Sequence, residues 1–146
     1  MAAALSRDQE SPALFFGSPA EQPLCEQLTS LLRGSGVDAH NVAGKTSLSE
    51  FIDLAAACRV FVTNDSGAMH IASALGVPTV AVFGATDDST TGPTGRNARI
   101  VREHAECSPC LLRECPIDHR CMTRVTVDRV TQVATAIEAA IVRERP

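Results

Sequence analysis

A doubly wound α/β sheet of parallel strands is the architecture this 146-residue sequence predicts, on three grounds. Short apolar runs alternate with helical stretches along most of the chain, the pattern of a sheet wound with helices. The run Thr79-Val80-Ala81-Val82-Phe83 is apolar almost without interruption rather than at alternate positions, as a strand covered on both faces should be. Just before it, Val60-Phe61-Val62-Thr63-Asn64-Asp65-Ser66-Gly67-Ala68-Met69-His70 reads as a buried strand running through a tight polar turn into a helix, and parallel sheets gather their ligands at such strand ends. The length leaves room for one core and not for two domains of ordinary size.

The elements follow in order. Residues 1–12 read as a frayed tail, and residues 13–144 as one domain that includes a cysteine-rich segment at 107–121. Ala13 to Phe16 is a short strand ended by Gly17. Glu21 to Arg33 is a helix with Leu24, Leu28, Leu31 and Leu32 at helical spacing, stopped by Gly34 and Gly36. A short strand spans Asp38 to Val42. Ser47-Leu48-Ser49-Glu50 is a capping box, in which the Ser oxygen and the Glu carboxylate each satisfy a backbone donor of the other, and it opens a helix to Cys58. The strand Arg59 to Thr63, the helix Ala68 to Leu75 and the strand Thr79 to Phe83 come next, with Gly76 and Pro78 as the helix stop. A polar loop holding Gly92, Pro93 and Gly95 leads to the strand Ala98 to Arg102. Thr126 caps a last helix from Val127 to about Arg143, with Val130, Val133, Ile137, Ala140 and Ile141 on one face, and Arg145-Pro146 reads as a second frayed end.

Composition narrows the function classes. A net charge of −4 and a pI near 5.5 argue against a nonspecific nucleic-acid surface, which needs a basic face. The apolar runs are broken by Gly76, Pro78 and Gly84 well short of the roughly 18 residues of a membrane span, and the N-terminus lacks a signal-peptide core, so a cytoplasmic domain is expected. Only five aromatic residues are present, Phe15, Phe16, Phe51, Phe61 and Phe83, all in strand or helix patterns that assign them to the core.

The turn at Asp65 to Gly67 carries the chemistry. The first N–H groups of a helix have no partner within it, so a phosphate can take them and the helix dipole adds to the attraction. Gly67 lets a ligand approach the backbone, Asp65 and Ser66 are cap residues whose oxygens can turn inward or outward, and His70 follows about one turn along on the same side. Gly84 to Asp88 would lie at the end of the neighbouring strand, so two loops converge on one cleft. An ordinary turn with an N-cap accounts for Asn-Asp-Ser-Gly equally well.

The wider pattern is more specific. Asn64-Asp65-Ser66-Gly67-x-Met69-His70-x-Ala72-x-Ala74-x-Gly76-x-Pro78-x-Val80-Ala81-x-Phe83-Gly84-x-Thr86-Asp87, followed by Thr91-Gly92-Pro93, resembles the bacterial lipopolysaccharide heptosyltransferases of glycosyltransferase family 9, most closely the heptosyltransferase II type. The resemblance runs from about Ala13 to about Val130. Phe16-Gly17-Ser18-Pro19-Ala20-Glu21 and Ala43-Gly44-Lys45-Thr46-Ser47-Leu48 also fit the family's spacing.

The resemblance implies the Rossmann-like C-terminal, donor-binding half of a GT-B glycosyltransferase that uses ADP-heptose, passes the sugar with inversion to the lipopolysaccharide inner core and needs no metal for transfer. It assigns Asp65, Ser66, Gly67 and His70 to the donor's diphosphate and sugar, with His70 stabilising the departing diphosphate as the catalytic residue of this half. Glu21 matches the acid that holds the ribose, and Thr46 stands where relatives place a residue, often Met, against the adenine. Thr86 and Asp87 could line the acceptor side. Each has a plainer reading: Glu21 as a first-turn helix acid, His70 as a packed helix histidine, Asp87 as a turn residue. Lys45 could reach a phosphate, but a solvated loop lysine fits as well.

Cysteine supplies a second constellation. Cys25 and Cys58 fall in apolar helical patterns, as small core residues do. Cys107, Cys110, Cys115 and Cys121 put four thiols within fifteen residues, a spacing that suits a structural zinc, with His119 as a substitute ligand. Reduced thiols, disulfides or an iron–sulfur cluster are the other readings.

The resemblance also implies that this chain is a fragment. Relatives have an N-terminal domain that binds the acceptor and supplies a general-base carboxylate, the full enzyme can associate peripherally with the membrane, and they have a first strand with no match here. Two classes of function therefore stand: a heptosyltransferase donor domain inactive alone, or a stand-alone non-catalytic nucleotide- or zinc-binding module.

Overall fold

The computed structural model describes residues 1–144; the expected fraying of Arg145 and Pro146 lies outside the described residues. The chain divides into two compact units, Met1–Phe51 and Ile52–Pro146. The boundary falls within one helix.

The first unit opens with a difference from the sequence reading. Residues 1–12 read from sequence as a frayed tail, yet Ala2–Gln9 is a helix, α1. Tertiary contacts explain it: Leu5 is buried, and the Arg7 guanidinium donates to the Ser35 carbonyl at 2.7 Å. Strand β1 (Ala13–Phe15) pairs in parallel with β2 (Ala39–Asn41), Ala13 opposite Ala39. Between them a 3-10 turn, Pro19–Glu21, leads into α2 (Gln22–Gly34).

Helix α2 ends in a Schellman motif. The Val37 N–H reaches Leu32 O at 3.1 Å and the Gly36 N–H reaches Arg33 O at 3.0 Å, with Gly36 at φ +80°, a conformation that favours glycine. Its buried face is not the one the leucine spacing suggested. Cys25 and Thr29 point inward, whereas Leu24, Leu28 and Leu31 are exposed, Leu31 by 71%. The apolar arc is wider than the arc that two short strands cover, so only its edge is buried. Phe16 and Phe51 meet edge to face with centroids 5.2 Å apart.

Helix α3 (Leu48–Ala57) starts where the capping box predicts: the Ser47 N–H and hydroxyl donate to Glu50 Oε2 at 2.8 and 2.7 Å, and the Glu50 N–H returns to Ser47 Oγ at 3.3 Å.

The second unit is a three-stranded parallel sheet in the order β3-β4-β5, formed by Phe61–Asn64, Thr79–Val82 and Ala98–Val101. Phe61 lies opposite Thr79 and Asn64 opposite Val82, while Thr79 lies opposite Ala98 and Val82 opposite Val101. Helix α4 (Gly67–Ala74) connects β3 to β4 and ends in a second Schellman motif on Gly76 at φ +77°. Met69, Ala81 and Phe83 form a fully buried cluster, and Val80 is equally buried. The strand apolar throughout is therefore the one covered on both faces, as expected.

Two short helices were not read from the sequence: α5 (Asp88–Thr91) lies in the polar loop after β4, and α6 (Arg120–Thr123) at the end of the cysteine-rich segment. The final helix, α7 (Val127–Glu144), is started by Thr126, whose Oγ1 accepts from the Arg129 N–H at 3.2 Å. Its inward seam is Val130, Ala134 and Ile137, and Ala140 is exposed rather than buried with them. Nearly buried Glu138 pairs with Arg59, just ahead of β3, at 2.9 Å.

Among the described residues β1 is bonded only to β2 and β3 only to β4. Among the described residues no helix is long and apolar enough to cross a membrane.

Candidate functional site

At the carboxyl end of β3 the chain turns through Asn64 and Asp65 into the start of α4. Ser66 is the N-cap: its backbone is extended, its Oγ accepts from the Met69 N–H at 3.4 Å, and its carbonyl accepts from the same N–H at 3.1 Å. The Ser66 hydroxyl also lies 3.1 Å from Thr63 Oγ1. Thr63 spends its one proton on the Asn64 carbonyl at 2.9 Å, so Ser66 is left to donate to Thr63 while accepting from the helix. A phosphate oxygen arriving at the helix start would compete for that Ser66 proton.

Gly67 is the first residue of α4. Its φ is not in the left-handed region, and a Cβ built there would meet nothing within 4 Å. Neither backbone strain nor packing therefore requires glycine here, and the space over it is open. His70, one turn on, is exposed. The packed-histidine reading does not describe it.

The loop after β4 stands beside this turn. Asp87 caps α5, its Oδ1 accepting from the Ser89 hydroxyl at 2.7 Å and the Ser89 N–H at 3.0 Å, and these bonds hold its carboxyl below the ordinary range. Thr86, next to it, is partly buried. From the far end of α5, Thr91 Oγ1 donates to Asp65 Oδ2 at 3.1 Å, which joins the two loops. The β3 and β4 ends thus converge as the sequence suggests, through Thr91, for which the sequence pattern gives no more than a place in a motif. Arg102, just past β5 and in sequence no more than the end of a strand, pairs with Asp88 at the start of α5.

The remaining sequence candidates belong to the first unit. Glu21 Oε2 accepts from both the Ser18 N–H and the Ser18 hydroxyl, each at 2.7 Å, and the backbone bond and then the hydroxyl lower its carboxyl. This is a capping box, so the first-turn reading of Glu21 describes what it does in the free protein; the second oxygen makes no hydrogen bond among the described residues. Thr46 is partly buried, and the Lys45 ammonium donates to the Asn41 carbonyl at 3.0 Å.

The cysteines do not assemble. All six are free, Cys25 and Cys121 are buried, and among the described residues no group of three or more His, Cys, Asp or Glu is placed to hold a metal ion. Cys115 Sγ instead accepts from the His119 N–H at 3.3 Å. As arranged, Cys107, Cys110, Cys115 and Cys121 do not offer a tetrahedral donor set. Burial pushes the Cys58 thiol up.

A parallel α/β unit with a capped helix start and hydroxyl-bearing turns at its strand ends has the build on which phosphate-bearing ligands are commonly held. Glycosyltransferase family 9 (heptosyltransferase) matches residues 1–120, and the chain belongs to that family. The lipooligosaccharide heptosyltransferase 2 of Campylobacter jejuni is 35% identical over 132 residues, covering 88% of this chain and 42% of that protein. The solved structure of Escherichia coli ADP-heptose LPS heptosyltransferase II superposes with a TM-score of 0.77 at 29% identity, covering 95% of this chain and 40% of that one. A family 9 glycosyltransferase from Veillonella parvula gives 0.78 at 21% identity, which speaks for the fold alone. The chain thus spans about two fifths of the length of the relatives it matches.

Proposed function

We propose that this chain is the donor-binding half of a cytoplasmic heptosyltransferase, holding ADP-heptose for transfer to the lipopolysaccharide inner core and not catalysing transfer alone. The observation that carries the reading is the open space over Gly67 beside the capped start of α4: glycine stands where the fold does not need it, at the end of a helix whose first N–H groups have no partner within the helix.

On this reading the Gly67 N–H and the Ser66 hydroxyl donate to the diphosphate, and His70 stabilises it as it leaves. Asp65 accepts from the sugar hydroxyls. The family resemblance alone assigns Glu21 to the ribose, Thr46 to the adenine, and Thr86 and Asp87 to the acceptor side. In the whole enzyme an acceptor hydroxyl oxygen forms the new glycosidic bond as the bond from the anomeric carbon to the diphosphate breaks. ADP leaves, and the acceptor's proton passes to a base supplied by the acceptor half, which would also provide any peripheral membrane contact. No step calls for a metal.

Calorimetric titration with ADP tests the site. Ser66→Ala and His70→Ala should each weaken binding by about 1–3 kcal/mol through lost charge-assisted hydrogen bonds. Affinity unchanged by both would remove the assignment.

A further inference from the structure

The short helix α5 does more than carry its own cap. Asp88, its first residue, pairs with Arg102. Arg102 also donates to the Ser108 hydroxyl at 2.9 Å, and Ser108 in turn donates to the Gly84 carbonyl at the root of the same loop. The N-terminal end of α5 is therefore fixed to the strand β5 side of the sheet. Its last residue, Thr91, donates to Asp65 Oδ2 at 3.1 Å across 26 positions of sequence. The same hydroxyl lies 3.1 Å from the Asp87 carbonyl, one helical turn back, so its single proton is shared between an acceptor on α5 and one on the turn after β3.

We infer that Thr91 is a positioning residue: held by the Arg102–Asp88 pair through α5, it engages one oxygen of Asp65 and leaves the other aimed at the hydroxyls of the donor's sugar. The inference rests on the reading of Asp65 as a sugar contact. A carboxylate on a turn can rotate about its side-chain bonds, and a fixed donor on one oxygen removes most of that freedom before the ligand arrives. Thr91 is exposed, so its hydroxyl has no part in the core. Its reach to Asp65 has a consequence specific to ligands that carry a sugar.

The test compares ADP with ADP-heptose, titrated calorimetrically into the 146-residue chain and its variants. Thr91→Val should weaken ADP-heptose about fivefold to tenfold while leaving ADP within about twofold, the scale of the net worth of one ordinary hydrogen bond. Thr91→Ser, which keeps the hydroxyl, should restore the difference. Arg102→Met, which frees the other end of α5, should lower ADP-heptose binding in the same selective way. If Asp65→Ala weakens ADP-heptose and Thr91→Val does not, the positioning role is wrong and the donor-site reading stands. If Thr91→Val weakens both ligands equally, or Thr91→Ser fails to rescue, the hydroxyl is structural and the inference falls. If Asp65→Ala changes nothing, or the unmodified chain binds neither ligand, the reading of Asp65 fails and takes the inference with it.

Discussion

At Gly67 the side chain's absence can be separated from the needs of the fold, because an added methyl would touch nothing in the free protein. Gly67→Ala should therefore leave thermal stability unchanged or raise it by up to about 1 kcal/mol, while ADP binding measured by calorimetry falls. Retained affinity would show that no ligand approaches the backbone there. Glu21 makes a different prediction. Its carboxyl is lowered by the Ser18 N–H and hydroxyl, so its contribution to stability is complete above the unfolded value and is lost as pH falls through the folded one. Melting temperatures taken from neutral pH down through the ordinary glutamate range should fall less steeply for Glu21→Gln than for the unmodified chain. Parallel curves would mean the box contributes nothing in solution.

Among the elements, what could be read from sequence was what is local. The box at Ser47 and Glu50, the cap at Ser66 and the cap at Thr126 each involve residues three apart, and each is found where the spacing puts it. The buried strand β4 was equally plain. What could not be read depends on distant partners. Helix α1 exists through Leu5 and Arg7, α5 is too short to show a period, and the contact from Thr91 to Asp65 joins loops that only the sheet brings together. Helix α2 shows the same limit: the leucine spacing gave a helix, but which edge of the apolar arc is buried follows from what the helix lies on. The corrected faces predict a contrast in chemical denaturation. Leu31→Gln, at a position 71% exposed, should change stability by less than about 0.5 kcal/mol, whereas Ile137→Ala, in the seam of α7, should cost about 2–5 kcal/mol. Comparable losses at the two sites would mean that the outer face of α2 is covered in solution.

For the molecule as a whole, the sheet pattern is the feature that matters. Of the five strands in the described residues, only β4 has a neighbour on both sides. Strand edges present unpaired N–H and C=O groups that recruit other chains, so light scattering should find dimers or larger species. An assay with ADP-heptose and a lipopolysaccharide acceptor should find no transfer by the chain alone. A monodisperse monomer that turns over substrate unaided would overturn the donor-half reading. The privileged place of β4 has one more consequence, measured in time. An amide in a strand bonded along both edges and wholly buried exchanges with solvent only when the sheet opens around it. In deuterated water the amides of Val80 and Ala81 should therefore be the last to lose their protons and those of β1 and β2 among the first, making the strand that leads to Thr86 and Asp87 the slowest clock in the protein.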